Sequence, residues 1–490
     1  MSSLLTQRAP CYVLAAAASV PVWIVGYVPI QDLPFHVATI RILASFHDPA
    51  FRFADDFVLS VGRTQYLLYH VAGAALARLS SPLTANRVLM SVYLTGTVIA
   101  LEWLLREMGR DERLCLVVIP LLVNVPFILG LLPFLLGVPL LFAGVAAALR
   151  YFRAPSVRRG ALVACLTAAL FYSHIVPFLL FGVTYMALIP WSRPRAWQLT
   201  APWTPVVPLA AWWAAFTDAG RVSGGVLLDL TGGTHKAFLP SLADFYRQVG
   251  DVFTDASDER VFLAMTAVVL IGVLMAAAER RPARAYATLP ATCLVCYFVL
   301  AEGHDYVYFI AQRFAVLALM AAIPLLPMPS GRRGAAIAVA AGIVASVGVV
   351  NTARHFRMFE REEVGDFDGA VAAMANNRRV CALVYDPASH IMRNAPFLHF
   401  ASYYQAQKGG VVMFTYAGYP HWPIDFAPGR YPPPGGPARQ RWEWTPERVT
   451  LDEIYPYYDY VLTRGDGFRP SPDTYRVEWH GGRWTVWVRQ

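Results

Sequence analysis

Apolar residues in this chain gather into long runs, separated by short polar stretches, as far as about residue 350 and not beyond it. The runs lie near 11–30, 86–105, 114–129, 131–149, 160–173, 175–190, 199–216, 261–278, 285–301, 314–328 and 334–350. Several approach the roughly 20 residues that a helix needs to cross a bilayer, and the pattern predicts a polytopic helical membrane protein with eleven spans. The first run offers small residues at Ala15 to Ser19, where a signal peptidase would cut. Its apolar character continues through Trp23, Ile24 and Val25 behind a single basic residue, Arg8, which reads as a retained anchor. Gln65 to Leu79 is too short for a crossing and carries His70 and Arg78, which suits an interfacial helix.

Charge orients these runs. If 65–79 does not cross, the loops bearing Arg106/Arg110/Arg113, Arg150/Arg153/Arg158/Arg159, Arg193/Arg195, Arg280/Arg281/Arg284 and Arg332/Arg333 all fall on one side, which is then cytoplasmic. The N-terminus is then inside and the C-terminal tail outside. The net charge of +8 is therefore a loop signal, carried almost wholly by arginine, since Lys236 and Lys408 are the only lysines. It does not form a basic face for nucleic acid, and no nucleic-acid partner is expected. Composition agrees: 56% of residues are hydrophobic and 15% charged, where a soluble domain carries about 25% charged residues. Arginine used for lysine, with much alanine, suggests a GC-rich bacterial source.

Residues 351–490 differ in kind. Val380 to Tyr385, Val411 to Tyr416, Tyr460 to Thr463 and Trp484 to Val488 read as strands, Leu398 to Gln407 as a helix, and Pro432 to Pro437 as a loop breaker. The division expected is a membrane part, 1–350, with a long first outer loop, 31–85, followed by an extracytoplasmic α/β domain, 351–490. The cysteines carry no framework; Cys293 and Cys296, two residues apart inside an apolar run, read as ordinary small helix residues.

The orientation puts the groups able to do chemistry on the outer side. Asp32 and His36 stand in Gln31-Asp-Leu-Pro-Phe-His36, just beyond the first run. His174 occupies an outer turn between two runs, and Glu302, His304 and Asp305 precede Arg313 at the mouth of another. Each has a plainer reading. Asp32 is also what a solvated helix end looks like, His36 and His174 what packed histidines look like, and Arg313 a snorkelling anchor. Glu302, His304 and Asp305 read equally as a wet loop or as metal ligands, and Asp55-Asp56 reads as solvated surface or a helix cap.

Asp32 beyond the first span, the long outer loop with an interfacial helix, Arg313-Phe314 opening a late outer span and the outer C-terminal domain together resemble the GT-C superfamily. These are membrane glycosyltransferases that take sugar from a polyprenyl-phosphate carrier, and the chain looks most like bacterial members with an Asp-x-Pro-x-His loop. The resemblance implies an inverting transfer to a glycan, lipid or protein acceptor, with Asp32 as general base and His36 beside it. It places Arg313 on the carrier phosphate, with His174, His304, Glu302 and Asp305 around the donor. The physical case runs parallel: a carboxylate takes the acceptor proton, and a fixed cation meets the charge growing on the departing phosphate. Many members place another acid on the second outer loop, whereas Asn124 to Phe134 contains none. A metal site is therefore unassigned, with room left for a divalent cation. Two other classes fit parts of the pattern: a transporter or flippase, and a non-catalytic envelope assembly protein. The ionisable groups cluster at one face rather than at the midplane, and no inverted repeat is evident, which disfavours transport.

Overall fold

The computed structural model describes residues 2–228, 242–276, 285–303, 307–433 and 444–490. His304, Asp305, the Arg280/Arg281/Arg284 loop, Lys236 and most of the proline-rich stretch 432–437 lie outside them. The chain divides into two compact units, one of residues 1–24, 89–127 and 131–354, the other of 25–88, 128–130 and 355–490.

The first unit is helical. Among the described residues, three helices, Pro82–Glu107, Leu132–Arg153 and Gly331–Val364, are long and apolar enough to cross a membrane. Leu132–Arg153 opens with Pro133 in its first turn, where a missing N–H costs nothing, and closes with Arg150 and Arg153 against the negative end of its dipole. The helices Val157–Ser173 and Ile175–Leu188 are separated by His174 alone, whose extended backbone ends one helix and caps the next. Both pack against Leu132–Arg153. The run 114–129, expected as a single span, is instead a 3-10 stretch, Glu112–Leu121, and a short helix, Val125–Leu129. Pro120 and Pro126 remove donors that a continuous helix would need, and Asn124 fills the break by accepting from Phe127 N.

The second unit holds a five-stranded sheet in the order β3-β2-β5-β7-β6. Its strands are β2 (Arg379–Val384), β3 (Val411–Val412), β5 (Tyr460–Arg464), β6 (Tyr475–Gly481) and β7 (Trp484–Arg489). β2 runs parallel to β3 and β5, and β7 runs antiparallel to β5 and β6. Val380 to Val384 are buried in sequence, as a strand covered on both faces requires. A second ribbon pairs β1 (Phe57–Leu59) with β4 (Ile424–Phe426), Phe57 opposite Phe426. This pairing draws the 31–85 segment into the same core as the C-terminal residues, where Phe35, Ile42, Phe53 and Phe57 pack with Leu383, Met413, Trp422 and Tyr458. The segment's two helices are Leu33–Ala44, with nine of its residues buried, and Leu67–Ala77, at the place expected for an interfacial helix. They pack on each other, and Leu33–Ala44 also packs on the Ala401–Lys408 helix.

Candidate functional site

Asp32 is the residue before the Leu33–Ala44 helix, and its side chain makes no capping bond to that helix. An aspartate in this position ordinarily turns back to the free N–H groups of the first turn. Here Pro34 supplies no N–H, and the carboxylate turns to the C-terminal half of the unit. Tyr416 donates its hydroxyl to Oδ2 at 2.9 Å, and His399 Nε2 lies 3.2 Å from Oδ1. Phe35 forms the floor, stacked on the His399 ring with centroids 3.9 Å apart and tilted against Tyr416 at 4.6 Å. Asp32 is 8% exposed and His399 5%, while Tyr416 is half-buried, so the phenol is the more open edge of the group.

His36, one turn on, is engaged elsewhere. Its Nδ1 lies 3.0 Å from His70 Nε2, and its Nε2 lies 3.0 Å from the Gly130 carbonyl oxygen. His70 Nδ1 in turn meets the Tyr66 carbonyl oxygen at 2.9 Å. Trp422 packs against both imidazoles and donates its indole N–H to Thr39 Oγ1 at 2.7 Å. Burial pushes the His36 imidazole well below its ordinary value, with His70 adding to the effect. Burial takes His70 down to about 4, against the pull of the Tyr66 carbonyl. The structure thus gives Asp32 and His36 different partners: the first faces His399 and Tyr416, the second a sealed histidine pair.

Of the remaining expected residues, Arg313, Glu302 and His174 belong to the first unit. Arg313 is buried in the Ile310–Ala322 helix. Its neighbour Gln312 donates to Glu302 Oε1 at 2.9 Å, and Ile310 N donates to the Glu302 carbonyl at the same distance, so Glu302 and the start of that helix are held together. His174 Nδ1 accepts from Val176 N at 3.1 Å, and its ring packs edge-on to Phe134. Asp55 pairs with Arg52 at the surface. Among the described residues, no group of three acids, histidines or cysteines is placed to hold a metal ion.

His399, Tyr416, His70 and Gly130 were not singled out as site residues from sequence. His399 sits in Phe397-Leu-His-Phe400, a polar group within an aromatic run. Tyr416 was read as the end of a strand; β3 stops at Val412, and the chain turns near Gly418, at φ +94°. No protein-family model matches the chain, and no curated protein sequence does.

Proposed function

We propose that the chain is an inverting glycosyltransferase of the GT-C kind, multi-pass in a bacterial cytoplasmic membrane. It moves a sugar from a polyprenyl-phosphate carrier to a glycan, lipid or protein acceptor on the outer side. The reading includes the eleven-span arrangement, with residues 351–490 extracytoplasmic. The acceptor hydroxyl gives its proton to Asp32 as its oxygen bonds to the anomeric carbon. The bond from that carbon to the phosphate oxygen breaks, and the phosphate leaves on the lipid. Arg313 meets the phosphate, with His174, His304, Glu302 and Asp305 on the donor side.

One observation carries the reading: the Asp32 carboxylate, though placed to cap a helix, is spared from capping and aimed instead by a phenol and an imidazole. A D32N chain is expected to insert and fold normally and to lose transfer by at least about 100-fold, the usual share of a general base. Full activity in that variant removes Asp32 from the mechanism. A strain lacking the chain is expected to accumulate lipid-linked sugar; substrate uptake by vesicles carrying the purified protein would instead assign transport.

A further inference from the structure

The Gly130 backbone lies directly against Asp32. Its φ is +92°, and a Cβ built on it would fall 2.8 Å from Asp32 Cβ and 3.0 Å from Asp32 N. A side chain there is excluded twice, by conformation and by contact. The residues before it run alongside Gln31 and Asp32: Gln31 N donates to the Ile128 carbonyl at 2.9 Å, and Asp32 N to the Leu129 carbonyl at 3.2 Å. Asn394 Nδ2 also donates to Ile128, at 2.9 Å. Residues 128–130 thus act as a splint along the backbone that carries Asp32. The polar contact on Gly130 itself is His36 Nε2, at 3.0 Å from its carbonyl oxygen. His36 is 2% exposed, and its ring is closed in by Tyr69, His70 and Trp422.

We propose that His36 is a positioning residue, which fixes the Asp32 carboxylate through Gly130 and does so as the Nε2–H tautomer. A carbonyl oxygen only accepts, so His36 can hold Gly130 only from a protonated Nε2. The pair has four ring nitrogens and three short contacts: to Gly130, between the rings, and to Tyr66. Two neutral rings carry two protons and can make at most two of these contacts hydrogen bonds. The one arrangement that releases Gly130 puts the His36 proton on Nδ1, toward His70. The groups facing the pair are Tyr69 from the Leu67–Ala77 helix, Trp422 and, against Tyr66, His421. The carboxylate nearest in sequence, Asp32, is turned to Tyr416 and His399.

This inference deepens the reading of Asp32 as the general base and rests on that reading for its link to catalysis. Its test needs no turnover, so the two fail separately. The full chain, labelled with ¹⁵N and ¹³C at histidine and held in detergent, reports ring tautomers by NMR, and the H36Q spectrum assigns His36. His399, whose Nε2 touches the Asp32 carboxylate, reports the placement of Asp32 from a different element. The expected results are an Nε2–H tautomer at His36, a shifted His399 ring signal in both H36L and G130A, and a near-native His399 signal in H36Q, whose amide can still donate. An Nδ1–H tautomer at His36 overturns the proposal, and so does a His399 signal unmoved in both H36L and G130A. Should H36L fail to fold, the tautomer in the unaltered chain decides.

Discussion

His399 Nε2 stands 3.2 Å from Asp32 Oδ1, joining the last residue before the Leu33–Ala44 helix to an aromatic run in the C-terminal part of the chain. The imidazole is stacked on Phe35 and nearly sealed, so it orients the carboxylate rather than meeting a substrate. Replacing it removes the imidazole that lies against Oδ1 and leaves the stacked floor open. H399L is expected to lower kcat by about 10- to 100-fold with KM little changed, the pattern of a contact that acts on the transition state alone. H399Q, which keeps a donor, is expected to recover part of that loss. Equal loss in kcat and in folded protein would instead mark His399 as structural.

Tyr416 donates to the other carboxylate oxygen, Oδ2, and is the more open of the two partners. A hydrogen bond to a charged group contributes about 1.5–3 kcal/mol, and about 1.4 kcal/mol corresponds to a factor of ten in rate. Y416F is therefore expected to lower transfer by about 10- to 100-fold while the fold persists, because Phe preserves the ring contacts with Phe35 and Trp422. An unchanged rate would mean that the acceptor displaces the phenol before reaction.

Arg464, fully buried at the end of β5, has its guanidinium 3.5 Å over the Phe397 ring and donates to Asp386 Oδ2 at 2.7 Å. It also bonds the Asp386 and Glu363 carbonyls, pinning the turn after β2 to the chain that enters it. Lysine cannot reproduce that flat, multiply donating fork. R464K is expected to destabilise the protein by about 2–3 kcal/mol, less than the loss of a fully buried pair because Asp386 is a third exposed. Thermal unfolding of the full chain in detergent measures it, and a midpoint unchanged from the parent would show that a single ammonium there suffices.

What could be read from the sequence follows from what each residue needs locally. β2, β5, β7 and the Ala401–Lys408 helix were legible because continuous apolar runs and helical spacing require no knowledge of partners. β6 escaped although Tyr475-Arg-Val-Glu-Trp-His480 alternates, because its outward charges mask an edge strand. The β1–β4 ribbon was invisible for a different reason: three residues pair with three others far along the chain, and nothing nearby announces it. Asp32 was legible by its position beside an apolar run. Its partners were not, since His399 and Tyr416 acquire meaning only when the first loop and the C-terminal residues share a core. Gly130 was read as part of a turn; that it presses on Asp32 is a fact of tertiary approach.

The sealed histidine pair gives the protein a pH dependence of definite sign. Burial lowers both imidazoles, His70 to about 4 from an ordinary 6.5 and His36 well below that ordinary value. The unfolded chain binds protons as the pH falls through 6.5, while the folded chain keeps both rings neutral. Between those limits the unfolded state holds more protons, so stability rises with pH. The stabilisation is fully present above 6.5 and is lost progressively as the pH falls toward 4. Each ring contributes a slope of up to about 1.4 kcal/mol per pH unit inside that window. The unfolding midpoint is therefore expected to drop steeply on acidification from neutrality. H70Q, which cannot take up a proton, should flatten the slope by about half even if it lowers the midpoint everywhere. A midpoint that holds level from neutral pH down to about 5 would mean that the pair gains a proton in the folded state, completing all three of its contacts.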